Sequence, residues 1–136
     1  MIDMGSMFNR NDAFNQDISG WNTSNVESMS YMFSTASVFN QPIGSWNTSA
    51  VTNMASMFSS AKKFNQPLNW NTAAVTNMST MFGFASDFDQ DISNFNVELV
   101  ENFTNMFIGI TLSNDNYDAL LIDWNCLLYT SPSPRD

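Results

Sequence analysis

Residues 39–63 read FNQPIGSWNTSAVTNMASMFSSAKK, and this stretch decides the fold because the chain repeats it. Related stretches start at Phe14, Phe64 and Phe88, so the period is 25, 25 and 24 residues. A unit this short cannot bury its own apolar face, but stacked units bury one another's. The sequence therefore predicts a solenoid. Its predicted units are a partial repeat at 1–13 and full repeats at 14–38, 39–63, 64–87 and 88–112.

Apolar residues recur at fixed positions of the repeat, and we expect each such column to form part of the core. Aromatic residues remove large areas from water, and methionine fills the gaps between rings. The predicted core columns are Phe14, Phe39, Phe64 and Phe88; Trp21, Trp46, Trp70 and Phe95; and Met32, Met57, Met81 and Met106.

Within each unit the spacing of apolar residues changes from one part to the next. A short stretch between Ile18 and Trp21 favours one short parallel strand. Met29, Met32 and Phe33 follow Val26 at helical spacing, which favours a short α or 3₁₀ segment. The predicted fold class is therefore an α/β repeat with one short strand and one short α/3₁₀ segment per coil, and the alternative is an all-β solenoid.

The repeats stop after Leu112, and a different pattern follows. Residues 113–125 contain Tyr117, Leu120 and Trp124 on one face of a helix, with Ser113 in position to cap it. This predicts a C-terminal capping helix over the last coil.

The chain starts inside a repeat unit and ends in a segment that is not a repeat. Met1 falls in the column of Val26, so the chain starts in mid-unit, and we expect a fragment of a longer protein. Residues 126–136, CLLYTSPSPRD, match the translation of a widely used transposase sequencing adapter at every position. We interpret them as non-native and exclude them from the fold.

Composition excludes several classes of function. The net charge is −9, with 4 Lys and Arg against 13 Asp and Glu, which disfavours binding to nucleic acid. The chain has no His and one Cys, so the commonest general base and the usual zinc ligands are missing. No apolar run is long enough to span a membrane. We therefore expect that the chain is not an enzyme and uses no cofactor or metal. We also expect a monomer.

A few polar patterns are candidate sites. Thr23, Thr48 and Thr72 form a column that predicts either a hydroxyl ladder for ice or carbohydrate, or simple capping of each coil.

Asn114, Asn116 and Asp118 resemble the start of a calcium loop, but Ala119 occupies the position of the required glycine. Asp17 and Asp91 share a column but are three coils apart, too distant for a glycosidase pair. N-x-S/T triplets begin at Asn22, Asn47, Asn77 and Asn102, and repeat turn chemistry accounts for the first two.

The repeated pattern F-N-Q-x-I-x-x-W-N-T-S-x-V-x-x-M-x-x-M-F resembles the repeats of BspA-like bacterial surface proteins. These are leucine-rich-repeat relatives that include an uncharacterised domain of mycoplasma lipoproteins. The segment from Leu112 to Trp124 resembles the usual end of that family, so the resemblance covers residues 1–125. It implies a leucine-rich-repeat-like right-handed solenoid that is secreted or displayed on the cell surface and binds protein or glycan partners in adhesion. A structural spacer is the remaining alternative.

Overall fold

The computed structural model describes residues 2–124. It contains strand β1 (Ile2–Asp3), strand β2 (Val26–Ser28) and helix α1 (Asn114–Asp123). The remainder of the described chain is built from turns and extended segments. The predicted adapter segment 126–136, Met1 and the last residue of the predicted 113–125 cap lie outside the described residues.

Successive repeat units lie side by side in parallel register. β1 pairs with β2 in parallel, and single parallel bridges extend the same line through the later units. These bridges are Ser28↔Asn53, Asn53↔Asn77 and Asn77↔Asn102. Equivalent positions of neighbouring repeats are therefore in contact along the whole described array.

The predicted position of the strand is wrong. Residues 19–20 form a turn, in which Trp21 N donates to Ile18 O at 3.1 Å. Strand pairing instead begins five residues after Trp21, at Val26–Ser28, and continues through the bridges at the equivalent positions of later units. The Ser-Gly pair favours a tight turn over an extended segment, and this local preference decides the structure.

The segments that start at Met29 and its counterparts are linked turns, and the predicted α or 3₁₀ segments are wrong. Phe33 N donates to Met57 O of the next unit at 2.9 Å, whereas Met32 N turns back to Met29 O at 3.2 Å. The same alternation of inter-unit and local bonds recurs in the units that follow. Alternate amides therefore tie neighbouring units together, and an α-helix would keep those bonds inside one unit.

Left-handed backbone explains why no helix propagates through these turns. In the first full unit Tyr31 (φ +58°) and Thr35 (φ +59°) both adopt it, and every later unit repeats the two positions. A right-handed helix cannot continue through such residues. Apolar residues at 29, 32, 33 and 36 fit a helix and a series of four-residue turns equally well, so spacing alone cannot separate them.

The core is formed by the aromatic and methionine columns. Phe33 and Phe58 stack with ring centroids 5.6 Å apart, and Phe58 stacks on Phe64 at 4.1 Å. Trp46 stacks on Trp70 at 6.5 Å. Of the predicted core columns, all members are buried except Phe14, which is half-buried, and Trp21, which is exposed.

Helix α1 covers the last unit. The Ser113 hydroxyl accepts from Asn116 N and caps the helix, while Tyr117 and Leu120 lie buried beneath it. Trp124 follows the helix and packs against Phe103, with ring centroids 6.0 Å apart. The apolar end of the stack is thus closed by an element that is not a repeat.

Candidate functional site

The outer surface of the linked turns is the main candidate for a binding site. We call it the turn face: residues 30–31 and 34–35 of the first full unit and their counterparts 55–56, 59–60, 79–80, 83–84, 104–105 and 108–109. These residues alternate in pairs with the buried Met and Phe side chains, and their exposure varies along the stack. Tyr31, Thr35 and Phe84 are exposed, whereas Ser34, Ala55, Ser56 and Gly83 are buried. Backbone bonds to neighbouring units hold this surface in a fixed shape.

Two aromatic side chains project from a turn face that otherwise consists mostly of small residues. Tyr31 is 48% exposed and Phe84 is 51% exposed, and both have positive φ, +58° and +57°. The equivalent positions in other units hold Ser, Thr, Asn, Arg or Gly. Bulky residues in left-handed backbone cost about 1–3 kcal/mol each, and such strain clusters at functional sites.

Phe84 rests on a glycine of the next unit. A Cβ placed on Gly109 would lie 2.4 Å from Phe84 Cδ1, so any side chain there would displace the ring. Gly109 itself has φ +76°, a conformation that glycine adopts without strain. Gly109 thus has no side chain that would clash with Phe84, and the ring of Phe84 packs close to its backbone.

The turn face of the full units is uncharged although the chain is strongly acidic. None of its residues is Asp, Glu, Lys or Arg. Every charged residue from 87 to 123 is Asp or Glu, so negative charge concentrates toward the C-terminal end. Lys63 and Asp87 form an exposed ion pair at 4.0 Å, which adds little to stability.

The threonine column does not form a surface ladder, which was one of the two alternatives that its sequence pattern left open. Thr23, Thr48 and Thr72 are each 1% exposed. The Thr23 hydroxyl donates to Asn47 O at 2.9 Å, and the other two make the same bond to the following unit. A buried hydroxyl that is bonded to backbone cannot contact ice or a glycan, so the ladder alternative is wrong for these three residues.

The calcium-like triplet lies at the start of helix α1. Asn116 Nδ2 donates to Asp89 Oδ1 at 2.8 Å, and its backbone amide donates to the capping Ser113. Within residues 2–124, the structure shows no cluster of His, Cys, Asp and Glu suited to a metal ion. Of the triplet, Asn116 takes part in capping the helix and joins its start to Asp89 of the preceding unit.

Asp17 and Asp91, which share a column of the repeat, each accept hydrogen bonds within a local turn. The Ser93 hydroxyl and amide donate to Asp91 Oδ1 at 2.6 and 2.9 Å, and Ser19 N donates to Asp17 Oδ1 at 2.9 Å. These hydrogen bonds lower the pKa of both carboxyl groups. Both groups are ionised acceptors, and neither has the raised pKa of a general acid.

The Asn column after each aromatic residue also serves local turns. Asn22 and Asn47 are exposed, and their Oδ1 atoms accept from the amides of Ser24 and Ser49. Asn77, which starts another N-x-S/T triplet, accepts from Ser79 N in the same way. All three are Asx turns, so local turn chemistry accounts for these repeated residues.

A second Asn column, which sequence reasoning missed, joins the units. Asn15 Oδ1 accepts from Asn40 N at 2.9 Å and from Gln41 Nε2 at 3.0 Å. The same pair of bonds recurs at each later step of the array, and Asp89 accepts at the last one. The signal was present in the repeated triplet F-N-Q, where each polar residue keeps its position.

Comparison with known families agrees with the internal repetition. The model of the family described as "Mycoplasma protein of unknown function, DUF285" matches residues 1–69 and again residues 63–127. The chain belongs to this family. Each matched span contains two of the full repeat units.

Membership of the DUF285 family gives a repeat protein without an assigned activity. No curated protein and no solved structure matches the chain. No helix among residues 2–124 is long and apolar enough to cross a membrane.

Proposed function

We propose that this chain is a non-catalytic binding module of the solenoid type whose turn face docks a protein partner. The observation that carries the proposal is the pair of exposed aromatic residues, Tyr31 and Phe84, held at positive φ. Tyrosine and other aromatic residues supply much of the energy at protein interfaces because large rigid rings enter pockets on the partner.

The composition of the turn face supports a protein partner. The centres of protein interfaces are depleted in charged residues, and this face has none in the full units. The backbone beneath it is fixed by inter-unit hydrogen bonds such as Tyr31 N to Ala55 O at 2.9 Å. A preformed surface loses little conformational freedom on binding.

The place of action follows from the resemblance to BspA-like surface proteins. We infer that the module is secreted or displayed on a cell surface and takes part in adhesion. Glycan binding through the same aromatic pair is the second candidate, since exposed aromatic rings also stack on sugar rings.

The test compares two variants in binding to immobilised matrix proteins, cultured host cells and a glycan array. In the first, Tyr31→Asn and Phe84→Gly give both positions the residues that the fourth unit has there, Asn105 and Gly109. In the control, Ile122→Ser alters an exposed apolar residue on helix α1. We expect binding of the first variant to fall by at least about tenfold and the control to bind as wild type.

Stability measurements separate a binding role from a structural one. Relief of the left-handed strain offsets the packing that the two rings lose, so the double variant stays within about 1 kcal/mol of wild type. Wild-type chain that binds no matrix protein, cell or glycan contradicts the proposal. Equal binding by the double variant contradicts the role of the turn face.

A further inference from the structure

Each repeat unit bonds to the following one through alternate backbone amides. In the third full unit, Met78 N donates to Asn102 O and Thr80 N donates to Thr104 O, both at 2.9 Å. The next two alternate amides of that unit make the same kind of bond to the last unit, and the earlier units repeat the pattern. The amides on this side of an interior unit are therefore satisfied by its neighbour.

The last unit has the same row of amides, but there they are unpaired. We call this row the amide edge: the backbone N–H groups of Phe103, Asn105, Phe107 and Gly109. Within residues 2–124, none of these four groups makes a hydrogen bond. The chain leaves the stack at Ser113 and enters helix α1, which covers the core of the unit but accepts from none of the four.

Another donor without an acceptor lies at the same end. Trp124 packs its ring against Phe103, and its indole Nε1 is buried without an acceptor among the described residues. In the interior, Trp46 Nε1 and Trp70 Nε1 both donate to a carbonyl of the adjacent unit. Buried donors without partners are rare in folded proteins. Backbone and side-chain donors are thus both left unpaired at this end of the stack.

The amide edge is accessible but is not a regular strand edge. Asn105 and Gly109 are exposed, and Phe103 is half-buried. An unpaired edge of this kind is where an extended polypeptide adds to a sheet through backbone hydrogen bonds. Positive φ at Asn105 (+57°) and Gly109 (+76°) bends the edge, so a segment that pairs along its length needs left-handed backbone at the same two positions.

Charge defines the chemistry of the segment that fits. Every charged residue from 87 to 123 is Asp or Glu, and the exposed Glu101 lies two residues ahead of the amide edge. A second copy of the chain has a net charge of −9 and is repelled by this acidic end. Lys and Arg side chains are attracted to it, which favours a basic partner.

We propose that the amide edge binds an extended, basic segment of a partner protein, which adds to the stack in parallel register. Four alternate carbonyl oxygens of the segment accept from the four edge amides. Gly or Asn residues spaced four apart take the left-handed backbone opposite Asn105 and Gly109, small residues face helix α1, and Lys or Arg fills the outward positions near Glu101. This contact goes beyond the proposed function, because it uses backbone of the last unit and does not need the ring of Tyr31.

The test uses a synthetic peptide, KAAKGAAKGK, acetylated and amidated at its ends. NMR on the isotope-labelled chain measures amide hydrogen exchange as the peptide is added. We expect the edge amides to exchange at least about fivefold more slowly at saturating peptide. The amides of Met106 and Ile108 already donate to Phe103 O and Asn105 O, so their exchange stays unchanged and serves as an internal control.

A matched peptide separates backbone pairing from attraction between charges. KAAKPAAKPK has the same charge, but its prolines cannot adopt positive φ. We expect it to leave the exchange of the edge amides unchanged. Equal protection by both peptides would overturn the proposal, because charge alone would then explain the binding.

Two variants of the chain complete the test. Glu101→Lys weakens the binding of the glycine peptide by at least about threefold, because it reverses the charge beside the edge. Tyr31→Asn binds this peptide as wild type does, so failure here is separate from failure of the proposed function. No protection by the glycine peptide, or unchanged affinity in Glu101→Lys, contradicts the proposal. A chain that sediments alone as a dimer with its edge amides already protected also contradicts it, because the occupant is then a second copy.

Discussion

The two ends of the stack meet water in opposite ways. At the C-terminal end, helix α1 covers the last unit, and Asp89 accepts from Ser113 N and Asn116 Nδ2. At the N-terminal end, Trp21 and Met7 are 39% and 47% exposed although their columns are buried elsewhere. The difference shows that stacking buries the faces between units and leaves the face of an end unit exposed, and that helix α1, which is not a repeat, covers this face at the C-terminal end.

The largest effect is expected in the middle of the stack. Phe58→Ala removes a fully buried ring that stacks on neighbours in both directions, so we expect a loss of about 3–5 kcal/mol in the free energy of unfolding. Phe8→Ala, in the same column but half-buried at the open end, costs about half as much or less. Urea unfolding monitored by circular dichroism measures both. Equal losses would show that the N-terminal end is as well covered as the interior.

The cap comes next. Leu120→Ala opens a cavity beneath helix α1, where Leu120 is 1% exposed, and costs about 2–4 kcal/mol. Leu121→Ala, a more exposed neighbour on the same helix, costs under about 1 kcal/mol. The two melting temperatures, taken in one buffer, give the comparison. A harmless Leu120→Ala would mean that the helix does not seal the last unit.

Two members of the tryptophan column differ in their surroundings. Trp46 is buried and its indole donates to the preceding unit, whereas Trp21 is exposed in the first full unit. Trp46→Phe leaves Ile18 O without its indole donor and costs about 1–2 kcal/mol. Trp21→Phe removes an indole at the open end and costs under about 0.5 kcal/mol. Thermal unfolding of the two variants measures the contrast, and a larger loss for Trp21→Phe would reverse the assignment of the ends.

The smallest effect concerns the carboxylate at the cap. Hydrogen bonds from Ser113 N and Asn116 hold the pKa of Asp89 below its ordinary value. The stabilisation is therefore complete above the ordinary aspartate range and is lost as pH falls below about 4. Asp89→Ala costs about 1 kcal/mol at pH 7 because two donors lose their acceptor.

Asp89→Asn is the matched control, since Asn occupies this column in the earlier units. It keeps the acceptor oxygen but has no charge to titrate, so it removes this contribution to the pH dependence. Stability curves between pH 7 and 3 check the pair. A pH profile for Asp89→Asn identical to wild type would show that another group causes the acid loss.

Much of the core was predictable because identical positions repeat. The columns through Phe39, Trp46 and Met57 were expected to be buried, and the structure buries them. The exposure of Trp21 follows from its position in the first full unit. A column of apolar residues predicts which side chains an adjacent unit buries, and a side chain is buried only where such a unit packs against it.

Local geometry was less predictable. Met29, Met32 and Phe33 have a spacing that suits a helix, but left-handed Tyr31 and Thr35 make the segment a series of turns. The decisive contribution is non-local, because alternate amides bond to the next unit, and a single-sequence pattern does not record it. The Thr23 hydroxyl likewise donates to Asn47 O of the next unit, so the threonine column is buried and offers no surface to a ligand.

Scalar couplings across hydrogen bonds test most directly whether the units stack through these turns. NMR on the isotope-labelled chain detects the carbonyl carbon to which each amide donates. The structure predicts a coupling between Phe33 N and the carbonyl of Met57 in the following unit. A coupling from Phe33 N to the carbonyl of Met29, the helical partner four residues back, would contradict the stack.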